Sequence, residues 1–334
     1  MNGIGDWPVF DADVAWDDAQ EALTTAELSD GLPLVPPTTA RLAAMLDGVI
    51  DPVAPHGLIP PLFGELNGAV VAYNCVLAGC SPGAVPIVLT ASIACLEPSF
   101  NLLGLATTTG TPAVATIVHG PIAQALGMND GVNCLAPGHR TNATLGRAMA
   151  LVLRNVAGMR TGAADMATMG QPAKYGFCFP EGDDTTFLPF HIRRGLSAGD
   201  SAVTVLGISG TAEVLPSVET GNWDTPEVIL NPVALMMRAA LIAGGGARKP
   251  EGSEQVLLLP PELAALIAQR GWTIDAIQNY LCSNASTFDG GPIADTPNDI
   301  HVIVTGGPGI KMTVLPQWGG GTRSATRKLK VCRV

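Results

Sequence analysis

Residues 77–86 read LAGCSPGAVP and place one thiol, Cys80, between a glycine suited to closing a helix and a Ser-Pro pair suited to opening the next. Ser81 is a good N-cap, and Pro82 fits the first helical position, where its missing N–H costs nothing. A thiol just outside such a start meets unpaired N–H groups and the positive end of the helix dipole, which favour a thiolate. The alternative is cysteine as a small apolar residue wedged between packed helices. Cys75 and Cys95 fall inside apolar helical patterns and read as core.

A second constellation occupies residues 131–148, GVNCLAPGHRTNATLGRA. A Gly/Pro loop runs into a helix start, with His139 and Arg140 ahead of the cap, Asn142 at it and Arg147 on the second turn. Convergent backbone N–H groups and two guanidiniums suit a carboxylate or phosphate. The plainer alternatives make Asn142 an ordinary N-cap and Arg147 half of a structural ion pair. Cys134 belongs to the same loop. In a third stretch, MGQPAKYGFCFPEGDD (169–184), Lys174, Cys178 and Glu181 surround a strand end. A carboxylate there can serve as a base or a ligand, although Glu181, Asp183 and Asp184 also suit an ordinary acidic turn.

Three functions are compatible with these residues. The first is a cysteine-dependent enzyme acting on a small anionic, carboxylate-like substrate, with no cofactor. Cys80 supplies the thiolate, Glu181 or His139 moves the proton, and Arg140, Asn142, Arg147 and Lys174 hold the substrate. In the second, Cys80, Cys134 and Cys178 come from three loops to hold a [4Fe–4S] cluster whose open iron serves a hydro-lyase. The third is a non-catalytic scaffold that positions a small thiol protein.

Other signals close doors. The five histidines show no HxxxH or HxH pairing, which leaves a histidine-rich metal site without sequence support. There is no G-x-S-x-G elbow. GGGARKPEGS (244–253) lacks phosphate-loop spacing and reads as a helix C-cap with its connection. GGPGIK (306–311) reads as a hairpin-type turn. Net charge −11 argues against nucleic acid and anionic membrane as partners. No apolar run approaches the roughly eighteen residues of a membrane span, and the acidic N-terminus has no signal-peptide profile, so the expected location is cytoplasmic. Seven cysteines without a C-x-x-C pair do not suggest a disulfide framework. The apolar composition favours a homo-oligomer, and the basic tail TRSATRKLKVCRV reads as a solvated terminus.

The elements that must position these residues follow from periodicity and punctuation. Helices are expected near 12–28, after Thr38 or Thr39, over 65–78 with Gly79 at the cap, from Ser81, over 121–127, from Thr141 or Asn142 to Gly158, and from 232 to the glycines at 244–246. Strands are expected over 111–120, 175–179 and 201–208. From 254 the order is strand, helix, turn, helix, then two strands. With 47% hydrophobic and 14% charged residues in 334, the chain buries a large core. The expected fold is α/β (mixed α+β as the variant), with a main domain over 1–245 and a smaller subdomain over 246–334 that borrows 201–208 as a further strand. A single intertwined domain is the alternative. No internal repeat is visible.

The motifs DGLPLVPPT, LAGCSPGAVP, PGHRTNATLGRA, GQPAKYGFC and DIHVIVTGGPG together resemble a family of bacterial proteins of about this length. That family is similar in genomic company to sets containing small thiol or selenol proteins with a Cys-or-Sec, Gly, Ser, Cys motif. The resemblance implies a thiol or selenol partner protein and redox or nucleophilic sulfur chemistry. It assigns no substrate, cofactor or catalytic residue.

Overall fold

The computed structural model describes residues 3–184, 186–216, 225–245 and 253–329. Two helices, α1 (Trp16–Thr25) and α2 (Thr39–Leu46), precede a small hairpin, β1 (Gly57–Ile59) and β2 (Gly64–Leu66). Then come α3 (Gly68–Ala78), α4 (Val85–Ala94), α5 (Leu102–Ala106), β3 (Ala113–His119), α6 (Pro121–Ala125), α7 (Arg140–Asn155), β4 (Cys178–Pro180), α8 (Phe190–Arg193) and β5 (Ala202–Ile208). The remainder is β6 (Ala212–Val214), α9 (Pro226–Gly245), β7 (Gln255–Leu259), α10 (Pro261–Gln269), α11 (Ile274–Asn284), β8 (Ile300–Val304), β9 (Met312–Leu315) and β10 (Ala325–Lys328).

Two four-stranded mixed sheets organise the molecule, ordered β10-β5-β3-β4 and β6-β9-β7-β8. They share one plan. In the first, β3 pairs parallel with β4 and antiparallel with β5; in the second, β7 pairs parallel with β8 and antiparallel with β9. Each parallel pair needs a long crossover, supplied by α6 and α7 in one case and by α10 and α11 in the other. The edge strands are exchanged. β6 follows β5 in the chain yet pairs with β9, and β10 follows β9 yet pairs with β5.

Alternation along the strands explains the layering. Val114, Val118, Val203 and Val205 face α3, α4 and α7 in one apolar cluster. Ala115, Ile117, Leu206 and Ile208, with Phe179, meet Val256, Leu258, Ile303 and Leu315 of the other sheet. The far face of that sheet packs Leu257, Val302 and Val314 under α9, α10 and α11. The result is a mixed α/β sandwich of helices, sheet, sheet and helices. Both faces of each sheet are covered, which is why β3, β5, β7 and β8 are buried along their whole length. α3 is apolar on every side, and all eleven of its residues are buried.

Several sequence expectations change. The division expected at residue 245 is drawn differently, because β6 and α9 already belong to the second sheet and its cover. Residues 201–208 form β5 of the first sheet, so β6 completes the second instead. The basic tail is not simply a solvated terminus: its residues 325–328 form β10 and pair with Ala202–Val205. The GGPGIK segment does not close a hairpin, since β7 lies between β8 and β9. The helix expected from Ser81 begins as a single 3-10 turn at Pro82–Ala84, and Ser81 makes no side-chain cap bond. The expected helix end at Gly246 and most of GGGARKPEGS lie outside the described residues. Among the described residues, no single helix is long and apolar enough to cross a membrane.

Candidate functional site

The three regions singled out by chemistry are placed apart or spent on structure. Cys80 follows the left-handed cap Gly79 of α3, and its N–H returns to the Cys75 carbonyl, closing that helix. Cys80 is 8% exposed, and its thiol donates to the Thr144 carbonyl of α7 at 3.3 Å. Its sulfur neighbours are Cys75 and Cys178, not Cys134. Burial raises the pKa of both Cys75 and Cys178, and the adjacent Cys80 raises each further. Cys134 lies elsewhere, 3.8 Å from Thr305 Oγ1 beyond the end of β8, and burial raises its pKa too. The structure therefore groups Cys75, Cys80 and Cys178, whereas the proposed cluster ligands were Cys80, Cys134 and Cys178.

In the expected anion loop Asn142, Arg140 and Arg147 are spent on protein partners, while His139 Nδ1 is buried without one. Asn142 accepts from the Asn129 N–H and donates to the Asn129 and Cys134 carbonyls, so it staples the loop rather than capping α7. The N-cap position belongs to His139, without a side-chain cap bond. Arg140 gives Nε and Nη2 to the Gly79 carbonyl at the end of α3. Arg147 makes a two-pronged pair with Asp30, at 2.9 and 2.8 Å. This is the structural ion pair that the sequence reading kept as its plainer alternative. Lys174 holds both oxygens of Asp165, at 2.7 and 2.6 Å.

Those two ion pairs frame a cleft of about 550 Å³ beside the C-terminal half of α7. Its floor includes Val114, Ala150 and Leu153, and the segment 159–175 forms its wall, with Met159, Gln171 and Tyr175. The wall is held in place by specific bonds. Gln171 donates to the Thr111 and Ile208 carbonyls, and the turn beyond it packs directly on α7. There Gly146 and Gly176 allow backbone contact: a Cβ on Gly146 would sit 2.7 Å from Phe177 N, and one on Gly176 2.4 Å from Arg147 N. Gly176 also has φ +146°, a conformation that disfavours side chains.

Arg154, from α7, also lines the cleft. Its Nε is buried with no hydrogen-bond partner. Burial and the nearby Arg160 lower its pKa, while Asp30 and Glu27 partly oppose them. Asp30 and Asp165 are already matched by Arg147 and Lys174. Among the described residues the cleft thus carries one surplus positive charge.

Glu181 lies elsewhere, in the layer between the sheets. It follows β4, and its N–H bonds to the Val118 carbonyl, which brings it beside His119 at the end of β3. Glu181 Oε2 lies 2.7 Å from His119 Nδ1 and 3.7 Å from His191 Nδ1, while Oε1 accepts from Phe190 N–H at 2.7 Å. His119 Nε2 lies 2.8 Å from Thr204 Oγ1, which in turn lies 2.9 Å from Thr326 Oγ1. Burial raises the Glu181 pKa, but His119, His191 and the Phe190 N–H outweigh it and bring the value to about 2.

Sequence reasoning passed over Arg154, His119 and His191. Arg154 lay inside a well-signalled helix without a motif around it. A signal was present for the histidines: His119 ends an otherwise apolar strand, and His191 sits in LPFHIRR. A histidine buried by such neighbours requires partners. A scan against protein-family models finds no match, and neither does a search of curated proteins.

Proposed function

We propose that the chain binds a small monoanionic molecule, a carboxylate with an apolar body, in the cleft beside α7. The observation that supports this most is Arg154, a guanidinium with an unsatisfied buried Nε in a cleft whose other charges are already paired. Leu153, Val114 and Met159 offer apolar surface to the body of the ligand, and Gln171 and the Asp165–Lys174 pair keep the wall in position. A volume of about 550 Å³ suits a metabolite-sized molecule. The anionic ligand expected from the sequence is retained, but Arg154 takes the place of Arg140 and Arg147, and Cys80 has no part in its recognition.

Titration calorimetry with a panel of aliphatic monocarboxylates and their neutral amides tests this reading. Acids should bind and the matching amides should bind far less well. Arg154→Met should weaken the acids by about 10–100-fold, the scale of losing hydrogen bonds to a charged group. Equal affinity for acid and amide, or affinities unchanged in Arg154→Met, would remove the proposal.

A further inference from the structure

We propose that His119, Glu181 and His191 hold a zinc ion between the two sheets. Each of the three offers one ligand atom, and these atoms all lie within 4.8 Å of one another. His119 and His191 are 0% and 3% exposed. They come from three different places in the chain: the end of β3, the residue after β4, and the one-turn helix α8.

The electronic requirement of the cluster is specific. His119 Nδ1 and Glu181 Oε2 face each other at 2.7 Å, so either a proton that Nδ1 donates to the carboxylate or a metal ion must lie between them. A proton on His119 would meet that need but would do nothing for His191. Both ring nitrogens of His191 are buried without a hydrogen-bond partner. A buried imidazole left in that state costs roughly 1–3 kcal/mol for each unsatisfied group. A metal ion takes one ligand atom from each of the three residues at once, including one of the two orphaned nitrogens of His191.

The surroundings fit a metal centre. Two imidazole nitrogens and one carboxylate oxygen are a donor set that zinc takes, with bonds of about 2.0–2.2 Å. Tetrahedral donors at that radius lie about 3.3 Å apart. The distances from Glu181 Oε2 to the two Nδ1 atoms, 2.7 and 3.7 Å, fall on either side of that value. The outer contacts are also in place. Thr204 Oγ1 engages His119 Nε2 and so frees Nδ1 for the ion, and the Phe190 N–H occupies Glu181 Oε1 and leaves Oε2 to bind. Three protein ligands leave the fourth position to water. In so enclosed a place the ion acts as a structural pin joining β3, the end of β4 and α8.

The test uses the full chain, expressed in zinc-supplemented medium and, separately, refolded after chelation with cobalt(II) as a spectroscopic probe. One zinc per chain, and a cobalt spectrum with the visible bands of tetrahedral coordination, are expected. Zinc should raise Tm by about 5–10 °C over the chelated protein. The discriminating variant is His191→Gln, because without metal neither ring nitrogen of His191 has a hydrogen bond and Nδ1 only faces Glu181 Oε2 at 3.7 Å. It should bind cobalt at least about 100-fold more weakly, the upper end of what a ligand-shell change costs. It should nevertheless melt with the chelated wild type, within about 2 °C. A wild-type chain that takes up neither ion would overturn the proposal. So would a His191→Gln variant that loses equal stability with and without zinc.

Discussion

Each half of the sandwich carries one carboxylate into the layer between the sheets, and the two are compensated differently. Glu254, beside β7, accepts the Ser324 N–H at 2.7 Å and its hydroxyl at 3.0 Å, and lies 3.2 Å from His301 Nε2. Two guanidiniums stand close behind, Arg323 at 3.7 Å and Arg194 at 3.8 Å. Glu181 has one backbone N–H and two histidines in direct reach. Arg193 acts on it only through space, since its donors go to the Leu188 and Val302 carbonyls. Burial raises both carboxylates and their partners then lower each to about 2. A histidine leads in both, His301 for Glu254 and His119 for Glu181, but Glu254 adds the permanent charge of Arg194, whereas no guanidinium among the described residues is in direct reach of Glu181. The first arrangement is a structural ion network, and the second is where a ligand ion has something to add.

The comparison breaks most visibly at Glu254. Glu254→Gln leaves Arg194 and His301 without their nearest counter-charge, while Arg323 keeps Asp299, and it should cost about 3–5 kcal/mol in urea unfolding. The loss should be the same with and without zinc. A loss below about 1 kcal/mol would mean that the guanidiniums are neutralised by other groups, Asp299 beside Arg323 being the nearest.

Acid sharpens the same contrast. The folded-state pKa of Glu254, about 2, lies below its ordinary 4.5, so its stabilisation is complete above about pH 4.5 and is lost as pH falls towards 2. Arg194, Arg323 and the imidazole of His301 face it, with Asp299 behind Arg323. Stability measured from pH 5 to pH 2 should fall in the wild type and fall with a shallower slope in Glu254→Gln. Parallel slopes would place the acid sensitivity elsewhere. The smallest effect is expected from Thr204→Val, which removes the hydroxyl that engages His119 Nε2. It should cost about 1–2 kcal/mol by urea unfolding. A neutral result would mean that His119 is held by Glu181 alone.

Local punctuation made much of the fold legible. Thr38 caps α2, Gly79 closes α3, and the β-branched run at 113–119 is a strand. What stayed hidden depends on partners far away in the chain. ATRK has two polar, exposed side chains and looks like a tail until β5, some 120 residues earlier, supplies its hydrogen bonds. The basic residues of the 131–148 stretch were of the right type for an anion site. Asp30, 117 residues before Arg147, had already taken that guanidinium. Arg154 was overlooked because nothing about its neighbours in sequence reveals that its own partner is missing. His119 and His191 escaped because metal-ligand spacing in sequence is informative only when one element supplies both ligands; here the β3–β4 crossover and a one-turn helix bring them together.

The exchanged edge strands carry a consequence for how the molecule can be taken apart. A chain severed between residues 214 and 226 yields an N-terminal piece holding β5-β3-β4 and a stray β6, and a C-terminal piece holding β9-β7-β8 and a stray β10. Each piece has an open sheet edge that only the other's stray strand fits, and neither can close itself. The two halves are therefore a lock with two keys, each cut on the opposite side. Reassembly of the fragments and integrity of the layer between the sheets become a single event.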